Sequence, residues 1–138
     1  MRNSRTLWIA LILLSIPTAA LVAADNSWLS KVPSTDRQRV NPYAGQPEAI
    51  AAGNVLFEEN CAKCHGSDAE GRHRRPSLRS ERVARATDGE LAWLLRNGSL
   101  RKGMPTWSSL PEPERWQLIA FLRSLPRDGP PAATVSHP

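Results

Sequence analysis

Cys61-Ala62-Lys63-Cys64-His65 holds the chain's only two cysteines and sets a histidine directly after the second. Side chains three apart share one face of a helical turn, so both thiols can reach one planar ligand while the imidazole points at its centre. The C-x-x-C-H spacing is the pattern of covalent haem attachment. In that chemistry the thiols add to the porphyrin vinyl groups as thioethers, and the histidine binds the iron from the proximal side. A single motif implies a single haem c, covalent through Cys61 and Cys64, with His65 on the metal.

Three other uses of the two thiols fit less well. A thioredoxin-like dithiol needs a βαβ setting, which the sequence lacks. A zinc site would have to draw its four ligands from Cys61, Cys64, His65, His73 and His137. A disulfide between residues three apart on a helix is sterically awkward.

Outward from the motif the chain reads as helices. Upstream, Pro47 suits a first helical turn and Glu48 the positive end of the helix dipole. Ile50, Gly53, Phe57 and Cys61 then recur at spacings of three or four and lead straight into the motif. Downstream, Thr87 with Glu90 three residues on forms a capping box, Leu91, Leu94 and Leu95 follow, and Asn97-Gly98 is a stop signal. A third helix has Pro113 and Glu114 in its first turn and Leu118, Phe121, Leu122 and Leu125 on one face, ending before Pro126. No strand-like alternation appears, so the fold class is all-α, with three or more helices wrapped around one covalently bound haem. Roughly 80 ordered residues form little core unaided. The flat apolar faces of the haem would replace core that Leu78, Leu91, Trp93, Leu94 and Trp107 alone cannot supply.

At the N-terminus, Arg2 and Arg5 precede an uncharged apolar run over residues 7–24, broken by Ser15 and Pro17. That is a secretory signal pattern, with Val22 and Ala24 placed for cleavage before Asp25. The run also reaches the lower limit of a membrane span, about 17 residues, so a retained anchor is the alternative. Both readings imply an exported, periplasmic domain, and no cysteine lies near enough for lipidation at a cleavage site. Residues 25–46 carry Pro33, Pro42, Gly45 and scattered charge, and read as a linker or extended arm whose Trp28 and Tyr43 could pack on the domain. Residues 47–126 form the domain, and residues 127–138, with four of the chain's helix-breaking residues in Gly129, Pro130, Pro131 and Pro138, read as a disordered tail. At 138 residues there is room for one small domain.

An iron that only moves electrons needs a sixth ligand, and methionine is the one that raises the potential. Met104 is the only methionine besides Met1, and Gly103 and Pro105 restrict the loop that would aim it. His73 is the rival, but eight residues from His65 it would need a short loop to cross the haem plane. The proximal histidine also needs an acceptor for its other ring nitrogen. The backbone carbonyl of Pro76 is the candidate.

Cys61 through Gly66, then Pro76-Ser77-Leu78, Asn97-Gly98 and Gly103-Met104-Pro105, with helices before and after, resemble a class I, small monohaem cytochrome c over about residues 47–125. Only the C-x-x-C-H motif is highly specific, while the other matches are weak singly but correctly ordered. The resemblance implies that the first and last helices cross at Gly53 and Phe57 against Leu118 and Phe121. It also implies that Pro76 holds His65 and that Met104 is the axial methionine. The arginine-rich residues 72–75 depart from the family pattern.

Residues 72–85 hold six arginines against one acid, Glu81, and Arg96, Arg101 and Lys102 add to them. Taking the two arginines of the signal segment from 18 basic residues leaves 16 against 13 acidic ones, a net +3, so the excess is local. A basic rim beside a haem suits redox partners with an acidic docking surface, such as a dehydrogenase or oxidase. Binding of the haem propionates is an equal use for some of these arginines. The resemblance thus implies a one-electron carrier that is not an enzyme and has no nucleic-acid partner, with a membrane partner only if the N-terminal segment stays. The alternatives are a haem subunit of a larger dehydrogenase or oxidase, or a ligand-binding haem protein with a labile Met104.

Overall fold

The computed structural model describes residues 28–129. The expected signal segment, residues 1–24, and residues 130–138 of the expected tail lie outside the described residues. The described chain contains helices α1 Ser34–Arg37, α2 Pro47–Asn60, α3 Ala62–His65, α4 Glu81–Arg85, α5 Asp88–Asn97 and α6 Glu112–Ser124. Two 3-10 turns, Leu29–Lys31 and Leu100–Lys102, complete it. Among the described residues the only strand-like feature is an isolated antiparallel bridge between Ser99 and Met104, in agreement with the all-α reading.

Local chemistry sets each long helix. Pro47 occupies the first turn of α2, where its missing N–H costs nothing. The capping box of α5 forms in full: Glu90 N–H donates to the Thr87 hydroxyl at 3.1 Å, and Thr87 N–H donates to the Glu90 carboxylate at 2.8 Å. Gly98, at φ +69°, ends that helix. Helix α6 runs until Leu125 turns extended before Pro126.

The helices α2 and α6 cross where Gly53 has no side chain. A Cβ there would fall inside the Gln117 carbonyl and lie 2.8 Å from Phe121 Cβ, so the two backbones touch because residue 53 is glycine. One turn on, Phe57 and Phe121 pack with ring centroids 5.2 Å apart and planes tilted by 46°, a favourable aromatic arrangement. Phe57, Leu118 and Ile119 are the largest fully buried side chains. The expected crossing residues therefore meet, and Trp116 and Ile119, outside the expected stripe, join the core.

The stretch expected as a linker or arm differs from that reading over residues 28–46. It carries the Leu29–Lys31 turn and α1, and it is fastened along its length. Buried Asn41 donates from its amide to Trp116 O at 2.9 Å and accepts from Tyr43 N–H at 2.9 Å. Gly89 packs beneath the Asp36 carbonyl, and Thr87 donates its hydroxyl to Arg37 O at 3.0 Å, which locks α1 onto the start of α5. Arg39 stacks 5.0 Å from the Trp116 ring and pairs with Glu112. Helices of four residues are too short for periodicity to register, and their hold comes from tertiary bonds instead. Trp28 and Tyr43 do pack against the core.

The start of the stretch expected as a tail is fastened to the domain. Asp128 N–H donates to Arg79 O at 3.0 Å, Ser77 donates its hydroxyl to the Asp128 carboxylate, and Arg79 Nε donates to Pro126 O at 2.8 Å. Pro126 and Asp128 are thus tied to the loop that leads into α4.

The contact at Gly53 gives a direct test. Gly53→Ala adds a methyl to a site already in van der Waals contact, and overpacking of this kind costs about 1–3 kcal/mol. Chemical denaturation of the holoprotein should show a midpoint lowered accordingly, and an unchanged midpoint would mean that the crossing is loose.

Candidate functional site

The motif is shaped by the end of α2. Cys61 N–H donates to Phe57 O at 2.8 Å as the last bond of that helix, and the N–H groups of Cys64 and His65 both return to Cys61 O at 3.0 Å. These bonds make the single turn α3, and Gly66, at φ +81°, ends it. Both cysteines are free; Cys61 is half-buried and Cys64 exposed. Burial, with a smaller contribution from the neighbouring Cys64, pushes the Cys61 thiol up to about 11. A thiol raised in this way is a poor nucleophile, so Cys61 is not placed as the attacking thiol of a redox dithiol. Among the described residues no cluster of three or more His, Cys, Asp or Glu could hold a bare metal ion; His137, the last residue of the zinc set, lies outside the described residues.

From Gly66 the chain folds back under the imidazole. Gly71 N–H donates to His65 O at 2.7 Å, and Gly71, at φ +85°, lies so close to the 75–77 backbone that a Cβ would stand 2.8 Å from Pro76 C. That fold-back sets Pro76 O 3.0 Å from His65 Nδ1. A carbonyl can only accept, so Nδ1 carries the proton and Nε2 is the nitrogen with a free lone pair.

A second loop faces the first. Ser99 and Met104 exchange backbone bonds of 2.9 and 3.1 Å, closing a short loop over residues 99–104. Its base is fixed on α5: Trp107 N–H donates to Leu95 O at 2.8 Å, and Gly98 packs against the Pro105 carbonyl, where a Cβ would stand 2.7 Å away. Between the loops lies a mainly apolar cavity of about 580 Å³. Its lining includes Cys61, Cys64, His65 and Pro76 from the motif and the fold-back, Met104 from the second loop, Trp107 just after it, and Phe57, Leu91, Leu95 and Leu118 from the helices.

The cavity thus brings together Cys61, Cys64, His65, Pro76 and Met104. It does not include His73, which is exposed at φ +52° outside it. Arg74, Arg75 and Arg82, from the cluster expected beside the haem, also line the cavity, as do Trp28, Leu118 and Leu122, which were not expected as site residues. An aromatic within the arm was the one available signal for Trp28, and the sequence did not show which arginines of the cluster would reach the cavity. The volume lies in the range of cofactor sites. With two free thiols at its rim, a polarised imidazole and apolar walls, the cavity fits a flat macrocycle held by thioethers.

The family described as cytochrome c oxidase, cbb3-type, subunit III matches residues 48–122. A FixP subunit of a cbb3-type cytochrome c oxidase from Sinorhizobium medicae is 33% identical over 84 residues, which are 58% of this chain and 29% of that protein. Cytochrome c550 of Pseudomonas aeruginosa is 30% identical over 88 residues, 61% of each chain. The chain therefore spans under a third of FixP and under two thirds of cytochrome c550. Among solved structures, cytochrome cL from Methylophaga aminisulfidivorans superposes with a TM-score of 0.55 at 31% identity, over 62% of this chain and 58% of that one. Cytochrome cL from Hyphomicrobium denitrificans, at 23% identity and a TM-score of 0.53, shares the fold. The chain belongs to the cbb3-type subunit III family of cytochrome c domains and is a class I cytochrome c with one haem c, covalent through Cys61 and Cys64.

Proposed function

We propose that the domain is an exported, periplasmic one-electron carrier whose haem iron is held by His65 and Met104, and that it transforms no substrate itself. The observation that carries this reading is that His65 and Met104 line one mainly apolar cavity. The haem supplies a ferric/ferrous couple when bound. The Nδ1–H of His65, donated to Pro76 O, fixes the ring and strengthens Nε2 as a donor to iron. Met104, half-buried in a loop closed on itself, is the thioether in the cavity lining, and as the sixth ligand it would keep small molecules from the metal.

The rim supports an acidic partner surface, such as that of an oxidase or dehydrogenase. Lys63, Arg74 and Arg82 are exposed at the cavity lining, and among the described residues no carboxylate pairs with them. Other arginines of the cluster are committed: Arg79 to Glu70 at 2.5 Å and Arg85 to Glu81 at 2.8 Å. The similarity to oxidase subunits favours a second reading, in which the same haem works as a fixed subunit of a larger oxidase. Co-purification of oxidase subunits with the tagged full chain would decide for it.

Replacing Met104 should leave the covalent haem in place but remove the weak red-edge sulfur-to-iron absorption of the ferric protein and open the ferrous protein to carbon monoxide. His73→Ala should change neither. Optical spectra and carbon monoxide titration of both variants check the assignment, and the reverse pattern would refute it.

Haem that fills the core should also be needed for folding. Cys61→Ala with Cys64→Ala should yield a chain with little helical circular dichroism and no cooperative melt, whereas a stably folded haem-free chain would contradict this.

Arg74→Glu with Arg82→Glu should slow association with an acidic redox partner about tenfold at low salt and flatten its ionic-strength dependence. The absorption spectrum should stay unchanged. Stopped-flow kinetics across a salt series would show whether the rim steers; rates indifferent to both changes would reduce it to a solvated face.

A further inference from the structure

We infer that Arg75 is a latch that holds the Met104 loop closed against the His65 side of the cavity, an inference that rests on Met104 being the axial ligand. Its guanidinium Nη1 donates to Lys102 O at 2.7 Å, spanning 27 positions of sequence from the strap that carries Pro76 to the loop that carries Met104. Arg75, Lys102, Gly103 and Met104 all line the same cavity, so the bond closes over its edge.

The loop is built to receive this side chain. Gly103 sits at φ +73°, and a Cβ there would lie 2.7 Å from Arg75 Nη1 and 3.2 Å from Nη2. A side chain at residue 103 would displace the guanidinium, so the glycine serves the latch as well as the turn. The base of the loop is fastened to α5 through Trp107 and Gly98, but its tip is not packed: Leu100 is 72% exposed. The Arg75 bond reaches the tip from outside the loop and restrains it, and its neighbour Pro76 takes the bond from His65. One short stretch thus fixes the proximal ring and the distal loop together. Arg75 touches neither thiol nor imidazole; it acts through Lys102 as a positioning residue.

A charge-assisted bond of this kind shifts the balance between a closed loop and one with the methionine swung away. Exogenous imidazole reads that balance, because its apparent affinity for the ferric protein scales with the fraction of open loop. In ferric holoprotein, Arg75→Ala should bind imidazole about tenfold more tightly than wild type. Arg75→Lys should recover affinity to within about threefold of wild type. Arg101→Ala, which removes one positive charge from the loop itself but no bond to Lys102 O, should stay within about twofold. If Arg75→Ala fails to retain haem, Arg75→Gln, too short to reach the carbonyl, carries the same expectation. Unaltered affinity in the Arg75 variants, or an equal gain in Arg101→Ala, would overturn the latch while the red-edge band of the wild type upheld Met104. A wild type that lacks that band and binds imidazole outright would overturn the Met104 assignment and the latch with it.

Discussion

The structure depends on a core that the polypeptide does not complete. Leu78, Val83, Trp107 and Leu122 pack on the hydrophobic cluster only in part and line the cavity of about 580 Å³, so their outer faces need the haem for a packing partner. Small domains with so little apolar interior rely on a staple, and here the staple is also the redox centre. Covalent attachment at Cys61 and Cys64 places that partner at the point where the α2 backbone ends. Folding and cofactor loading are thereby one problem.

Around this constraint, close approaches of backbone set the geometry. Gly53 lets α2 and α6 touch, Gly71 brings the Pro76 carbonyl beneath His65, and Gly98 seats the Met104 loop on α5. Each is a place where a Cβ would have no room, so the positions of the proposed ligands are fixed by the absence of side chains as much as by their presence. The charged residues have divided tasks. Arg37, Arg39, Arg96 and Arg123 fasten surface elements to one another, while Lys63, Arg74 and Arg82 are left at the rim.

Much of this was legible before any coordinates. Pro47, the Thr87–Glu90 box, Gly98 and Pro126 mark helix ends with chemistry that acts within one turn, so sequence carries it well. The haem motif and a lone internal methionine were equally plain. What stayed hidden was long-range. The arm over residues 28–46 is ordered by Asn41 reaching Trp116 O and by Asp36 lying over Gly89, contacts that no local pattern encodes. The role of Arg75 was hidden for the same reason, since a cluster of arginines gives no hint which one spans to Lys102.

The central claim is that Met104 and His65 share one iron across this cavity. Proton NMR of the ferrous holoprotein tests it most directly, because a methionine methyl bound over the haem face is shifted by the ring current far upfield of every other methyl. The account predicts one such resonance, absent from Met104→Ala and retained in His73→Ala. A ferrous spectrum without it, with signals from two axial imidazoles instead, would contradict the account.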